Sequence, residues 1–313
     1  MRVLITGVTG QDGRYLTQAL RARAHQVFGL SRHAAHPPFL DAVHLRVGDV
    51  GDPTFVDGVV AEVRPEACYH LAAQHRSSSV NEGEDMDAVM RTNFHGAENL
   101  LSSLRRHAPR SRVLMASSCQ VFGEPPTPLQ SEATPRDPRN AYALAKVLAE
   151  QLAEHHRRHL GMFVSTAILF NHESPWRGGR FVSARVARAA AEAQAGKGGT
   201  LTLGSLQSQV DWMHARDAVE GMQRILSADE PGVFVVGTGM LHTVRELAEV
   251  AFNVVGRDWR KHVWEDSSLV RPSSGLPYAA DATRLRAATG WSPSISFEDM
   301  VREMVEHHLR EAR

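Results

Sequence analysis

Tyr142 and Lys146 are the pair of side chains in this sequence best suited to proton chemistry. At i and i+4 they share one face of a helix. An ammonium beside a phenol favours the phenolate, so the spacing predicts a tyrosine of lowered pKa that exchanges a proton with an alcohol near neutral pH. Upstream, Ala116-Ser117-Ser118 reads as a strand end whose Ser118 hydroxyl is placed to hold the same substrate oxygen. A Tyr-x-x-x-Lys alone carries little weight. Here a second pattern accompanies it: Ile5-Thr6-Gly7-Val8-Thr9-Gly10-Gln11-Asp12-Gly13, three glycines between an apolar strand and a helix. Gly7 permits the tight turn, Gly10 lets backbone N–H groups approach phosphates, and Gly13 lets the helix pack closely on the sheet. Such a loop seats a dinucleotide pyrophosphate. With the proton pair it describes hydride transfer, a nicotinamide on one side and Ser118, Tyr142 and Lys146 on the other.

The elements that must position these groups alternate. Strands read as Arg2–Thr6, Gln26–Leu30, Val43–Val47, Ala67–His70, Arg112–Ala116 and Phe163–Leu169, with helices near 12–24, 53–64, 84–107 and 139–160. That order predicts an α/β fold: a Rossmann-type, doubly wound parallel sheet. Past residue 171 the regularity breaks around Pro175, Gly178, Gly179, Gly196, Gly198 and Gly199. A smaller α/β substrate lobe is expected there, with a helical segment near 181–195, a strand at Gly232–Val236 and helices from Thr243 to about Val255 and from Phe297 to Arg310. The expected division is residues 1–170 for the dinucleotide and 171–313 for substrate, with the chain free to cross back.

The second strand ends Leu30-Ser31-Arg32, with an arginine where an NAD site places an acid on the ribose 2′-OH. A guanidinium suits a 2′-phosphate, which favours NADP over NAD. Asp49 and Val50, after the third strand, are expected beside the adenine. Leu71-Ala72-Ala73, after the fourth, would line the dinucleotide with small groups.

At these residues the chain resembles the extended short-chain dehydrogenases/reductases acting on nucleotide sugars, and within them the GDP-mannose 4,6-dehydratase family. The resemblance runs over nearly the whole length. Its diagnostic pieces are the Gln11-Asp12 inside the glycine loop, Ile168-Leu169-Phe170-Asn171-His172-Glu173-Ser174-Pro175, and Asp211-Trp212-Met213-His214-Ala215-Arg216-Asp217. It implies a GDP-sugar substrate. It also implies that Thr9, Gln11, Asp12, Leu169 and His172 lie along the cofactor, His172 near the nicotinamide. Gln74, Asn171, Arg185 (where the family has a lysine) and Arg271 are implied as contacts of the sugar nucleotide, the two arginines at its diphosphate. Arg177 and Arg180 read equally as diphosphate neighbours or as loop decoration.

The chain departs from this pattern at one chemical position. The family segment A-S-T-S-E-x-Y-G reads here Ala116-Ser117-Ser118-Cys119-Gln120-Val121-Phe122-Gly123. Serine at 118 keeps the hydroxyl, but Gln120 replaces the glutamate that removes the C5 proton and helps expel the C6 hydroxyl. A carboxamide is not basic, and losing such a base costs about 10²–10⁴ in rate. Cys119, taken as continuing the strand, is expected to point to the opposite face. Three readings stand: chemistry confined to C4, as in a 4-ketoreductase or 4-epimerase; a dehydratase disabled by Glu-to-Gln exchange; or another base, His172 or His75. Val210 and Ser274 also replace an arginine and a glutamate of the family, which weakens the expected nucleotide contacts. The loop from Ser31 to about Asp41 is shorter than the family's subunit-bridging loop. A homodimer burying the helices near 84–107 and 139–160 in a four-helix interface is therefore expected. A non-catalytic NADP-binding sensor is the alternative from another class.

Bulk properties exclude other classes. Lys+Arg and Asp+Glu are 35 each in 313 residues, so no global field draws nucleic acid or an acidic membrane. The two cysteines, Cys68 and Cys119, read as reduced thiols. With no signal segment and no apolar run long enough to span a bilayer, a cytoplasmic enzyme is expected. His155, His156 and His159, interleaved with Arg157 and Arg158, read as a solvated helix face, and no metal site is expected.

Overall fold

The computed structural model of the chain describes residues 1–34, 37–74, 85–197, 199–270 and 276–311. Seven strands form one sheet: β1 (Arg2–Thr6), β2 (Gln26–Ser31), β3 (His44–Val47), β4 (Ala67–His70), β5 (Arg112–Ser118), β6 (Val164–Leu169) and β7 (Val233–Val236). They run in the order β3-β2-β1-β4-β5-β6-β7, and every pairing is parallel. A sheet covered on both faces demands apolar side chains on both sides of its strands. Val3, Leu4 and Ile5 are accordingly buried in succession, as is all of β6. The order reverses between β1 and β4, which opens the crevice beyond their carboxyl ends where ligands of such folds sit.

Ten helices can be followed through the described residues: α1 (Gln11–Ala22), α2 (Pro53–Val63), α3 (Met86–Met90), α4 (Gly96–His107), α5 (Ala141–His159), α6 (Val182–Gln194), α7 (Ala215–Ser227), α8 (Val244–Val254), α9 (Thr283–Thr289) and α10 (Phe297–Glu311). The single helix expected over 84–107 is in fact two, joined by a π-turn at Arg91–His95. Asn93 sits in that turn. Its Nδ2 donates to the Val89 and Gln74 carbonyls, both at 3.0 Å, and its Oδ1 accepts from Gln74 N–H. Hydrophobic periodicity does not register one residue of extra winding bought by a side-chain amide.

The helix α5, which carries Tyr142 and Lys146, starts where Asn140 caps it by accepting from Ala143 N–H at 2.8 Å. It then lays Ala145, Ala149 and Ala153 against neighbouring elements. The strand at 232–236, expected within the smaller lobe, instead completes the central sheet as β7 on β6. Before it, α7 packs with α1 through the core that holds Leu16, Leu20, Val219 and Met222. The lobe proper is α6, α8 and α10 closing on Ala190, Leu247, Phe252 and Met300. A short parallel pairing of Asn171–Glu173 with Trp212–His214 extends β6 towards that lobe. No helix among the described residues is long and apolar enough to cross a membrane.

Gly7 is where the backbone demands glycine outright. Its φ is +72°, and a Cβ there would lie 2.8 Å from Ala72 N. Gly7→Ala is expected to lower stability by about 1–3 kcal/mol, read as a fall in the midpoint of thermal unfolding.

Candidate active site

The glycine loop ends at the start of α1, where Gly10 is the N-cap residue. Gly10 caps α1 without any side-chain bond, which leaves the first N–H groups of the helix to face a ligand. A cleft beside it is lined by Gly7, Thr9 and Gly10, by Ser31, Arg32 and His33 from the end of β2, by Val50, and by Leu71, Ala72 and Ala73 after β4. Loop, small groups and arginine thus meet in one groove. Arg32 makes no hydrogen bond or ion pair with any described residue, so its guanidinium is available at the groove's edge. Asp49 turns inward instead and accepts from Gly51 N–H at 2.9 Å. A Cβ on Gly13 would lie 2.5 Å from Val8 O, the close helix packing expected of the third glycine. These residues fit a dinucleotide: the donors suit a pyrophosphate and the small side chains suit close approach.

At the far end of the groove the glycine loop is tied to residues 160 positions away. Gln11 Nε2 donates to the His172 carbonyl at 3.0 Å, and Gln11 Oε1 accepts from the Ser174 hydroxyl at 2.7 Å. Asp12 Oδ2 meets His172 Nε2 at 3.0 Å. The other ring nitrogen, Nδ1, donates to the Phe170 carbonyl at 2.7 Å. Burial works against both charges, but each is overridden by the other: His172 lies above the usual imidazole value and Asp12 below the usual carboxylate value. Both ring nitrogens of His172 are thus engaged, Nε2 by Asp12 and Nδ1 by the Phe170 carbonyl. Of the two histidines expected as alternative bases, His172 is held in this pair and His75 lies outside the described residues.

Ser118, at the end of β5, and Tyr142, in the first turn of α5, are hydrogen-bonded to each other. Lys146 Nζ donates to the Ala116 carbonyl at 2.8 Å and lies 5.7 Å from the Tyr142 ring centroid. Burial dominates both groups. It pushes the phenol up to about 12, the Ser118 bond partly offsetting it. It pulls Lys146 down to about 8 against the charge of Glu150. The expected lowering of the Tyr142 pKa is absent, because desolvation outweighs the effect of an ammonium turned towards a carbonyl.

Gln120 lies in a 3₁₀ turn, Cys119–Phe122, that begins as soon as β5 ends. The face rule for strands therefore does not reach Cys119. Its thiol is buried and donates to Asn171 Oδ1 at 3.7 Å. Gln120 Oε1 accepts from Asn140 Nδ2 at 3.2 Å, an orientation set by the Asn140 cap on α5.

Among the remaining sequence candidates, Gln74 is held by Asn93 and Thr92, and Leu169 closes β6 as a buried residue. Arg185 donates to the Thr202 carbonyl at 2.7 Å. Arg271 and Ser274 lie outside the described residues. Arg177 is mostly buried, paired with Glu173 at 3.1 Å and set 3.5 Å over the Phe181 ring, which is no solvated decoration. Asn93 and Arg136 went unread in the sequence. A lone Asn in an apolar-periodic helix was the available sign of the first, and nothing local marked the second.

A model of the GDP-mannose 4,6 dehydratase family matches residues 4–304. The chain belongs to that family. GDP-mannose 4,6 dehydratase 1 of Arabidopsis thaliana is 35% identical over 99% of this chain and 90% of its own length. The human GDP-mannose 4,6 dehydratase is 33% identical over 96% and 90%. Among solved structures, RMD from Pseudomonas aeruginosa complexed with NADPH superposes with TM-score 0.83 at 26% identity, covering 99% of each chain. Thermus thermophilus UDP-glucose 4-epimerase with NAD gives 0.85 at 26%, covering 98% and 99%. The chain is thereby placed among the nicotinamide-dependent nucleotide-sugar enzymes of the short-chain dehydrogenase/reductase type.

In this family member, the Asp12–His172 pair has a pH signature. His172 is raised in the folded state, so its share of the stability is complete below its unfolded value of about 6.5 and is lost as pH rises through the higher folded value. Asp12 is depressed, so its share is complete above 3.8 and lost as pH falls through the lower folded value. Asp12→Asn is expected to cost about 1.5–3 kcal/mol between pH of about 4 and about 6.5 and less as pH rises further, followed by denaturant unfolding across that range.

Proposed function

We propose that this member of the family is an NADP-dependent enzyme acting on a GDP-hexose, with redox chemistry at C4 and no elimination of water. Gln120 carries that reading. The position belongs to the family's general base, and an amide accepting from Asn140 has no basic lone pair for the C5 proton. The ion-paired state of His172 supports the same conclusion, since it removes the nearby imidazole as a substitute.

In the proposed reaction Ser118 donates to the C4 oxygen and Tyr142, bonded to Ser118, exchanges the hydroxyl proton. Lys146 supplies a positive charge one helical turn from the phenol. A bound nicotinamide would supply the hydride acceptor or, reduced, the donor. The uncapped start of α1 and the turn at Gly7 would hold the pyrophosphate, Arg32 the 2′-phosphate, and Leu71-Ala72-Ala73 the flat face of the dinucleotide. The 4-ketoreductase and 4-epimerase variants share this machinery and differ in what becomes of the C4 ketone. The arrangement of Ser118, Tyr142 and Lys146 favours an enzyme over a redox sensor, which has no use for a proton pair. Exposed Met86 on α3 and Leu144 on α5 suit the proposed pairing of two subunits through these helices.

Incubation with GDP-mannose and NADP is expected to leave no product lighter by one water in mass spectrometry, and such a product would sink the proposal. Gln120→Glu places a carboxylate where Asn140 can hold it, and is expected to begin releasing water. Tyr142→Phe is expected to lower C4 turnover by about 10²–10⁴. Arg32→Ala is expected to weaken NADP binding about 10–100-fold in calorimetric titration while leaving NAD binding within about twofold, because only the 2′-phosphate loses a charge-assisted partner.

A further inference from the structure

Tyr142, Lys146 and Glu150 stand at i, i+4 and i+8 of α5, three ionisable groups on one helix face pressed against β5. Lys146 is 3% exposed and Glu150 7%. An ammonium this deep has lost its water, and its hydrogen bond to the Ala116 carbonyl supplies a dipole without a charge. Glu150, one turn along, is anchored from its far side. The Ser117 hydroxyl donates to one of its oxygens, and Arg136 Nε meets the other at 2.9 Å. Arg136 is itself braced 5.1 Å over the Phe122 ring and donates to the Glu132 carbonyl. The carboxyl group is thus held against Ser117 and Arg136, one helical turn from Lys146.

The other groups facing Lys146 leave that carboxyl group decisive. His70, from the end of β4, is buried and kept neutral, first by desolvation and then by Lys146 itself, which together lower it to about 3. Its Nδ1 accepts from Thr6, whose own oxygen accepts from Ala72 N–H. From β5 come only the Ser117 hydroxyl and carbonyl groups. From the π-turn, Thr92 and Asn93 are buried and uncharged, while Arg91 and His95 are exposed. Asp12 and Arg177 act on Tyr142 and are paired elsewhere.

We propose that Glu150 is a positioning residue for the proton pair: fixed by Ser117 and Arg136, its carboxylate keeps Lys146 in the ammonium form that Tyr142 needs. The inference rests on the reading of Tyr142 and Lys146 as the proton machinery, but Glu150 itself contacts neither groove nor substrate position. The sign is fixed. Lys146 is useful only while protonated, and removing the anion lowers its pKa. The ammonium, and with it the alkaline limb of the C4 reaction, is then lost at a lower pH.

The sequence makes the test direct, because it contains three lysines: Lys146, Lys197 and Lys261. Lys197 and Lys261 are exposed and serve as internal references. In protein carrying isotope-labelled lysine, the Lys146 Cε and Nζ resonances report its ionisation without any turnover. In E150Q the Lys146 midpoint is expected to fall by about one pH unit or more. In E150D, which keeps the charge, it is expected to return towards the parent value. In S117A, which keeps the charge but loses a hydrogen bond, it is expected to stay in place. An E150Q midpoint equal to the parent's overturns the inference, as does a shift in S117A as large as in E150Q, which would mark a packing effect. Should E150Q fold poorly, E150Q/R136Q removes the guanidinium that E150Q would strand and is expected to show the same direction. Retained turnover in Tyr142→Phe would overturn the proton-pair reading separately, since the NMR midpoint is independent of it.

Discussion

The glycine loop and the segment after β6 are held together by a clasp of polar contacts, and most of the site's geometry depends on it. Gln11 reads the His172 backbone and the Ser174 hydroxyl, and Asp12 pairs with the His172 ring. Each contact joins the start of α1 to the strand extension that leads into the smaller lobe. The paired charges are mostly buried, so separating them would expose each to a desolvation cost that its partner now offsets. A crevice between two layers is useful for hydride transfer only if its walls keep a fixed spacing. Here the Asp12–His172 contact fixes the glycine loop against the segment after β6.

Desolvation is the second constraint on the site. Tyr142, Lys146, His70 and Cys119 are all displaced from their ordinary pKa values chiefly by burial. A dry site strengthens whatever charge it retains, and it tends to discharge groups left without a partner. The ionised groups that survive there, Asp12 with His172, Arg177 with Glu173 and Arg136 with Glu150, each have an opposite charge close by. Lys146 has its neighbour a full turn away, which is why its state responds to that neighbour.

Much of this was legible in the chain itself. The six strands before residue 171 were readable because buried parallel strands are continuous apolar runs with turn residues between them. The groove was readable because a tight turn and a phosphate each demand glycine for a steric reason. Gln11-Asp12 and Asn171-His172-Glu173-Ser174 were singled out as separate signatures, while their mutual contact was invisible, since sequence distance says nothing about which loops face each other. The π-turn at Arg91–His95 was lost in an apolar repeat that barely changes across it. The 3₁₀ turn at Cys119 was read as strand because the residues before it are strand. The protonation states were misjudged for a physical reason: spacing along a helix shows which charges are neighbours but not how much water they retain.

The position of β7 makes the sheet a discontinuous object along the chain. β6 is buried on both faces and gains its outer hydrogen-bonded neighbour only from residues 233–236, after the chain has already built α6 and α7. Arg112, at the start of β5, likewise places its guanidinium on the Leu226 and Ala228 carbonyls at the end of α7. The sheet is therefore left with a bare, apolar edge until some sixty residues beyond β6 have emerged and returned. During synthesis that edge is the part most open to mispairing, and a fragment cut after β6 would keep it permanently.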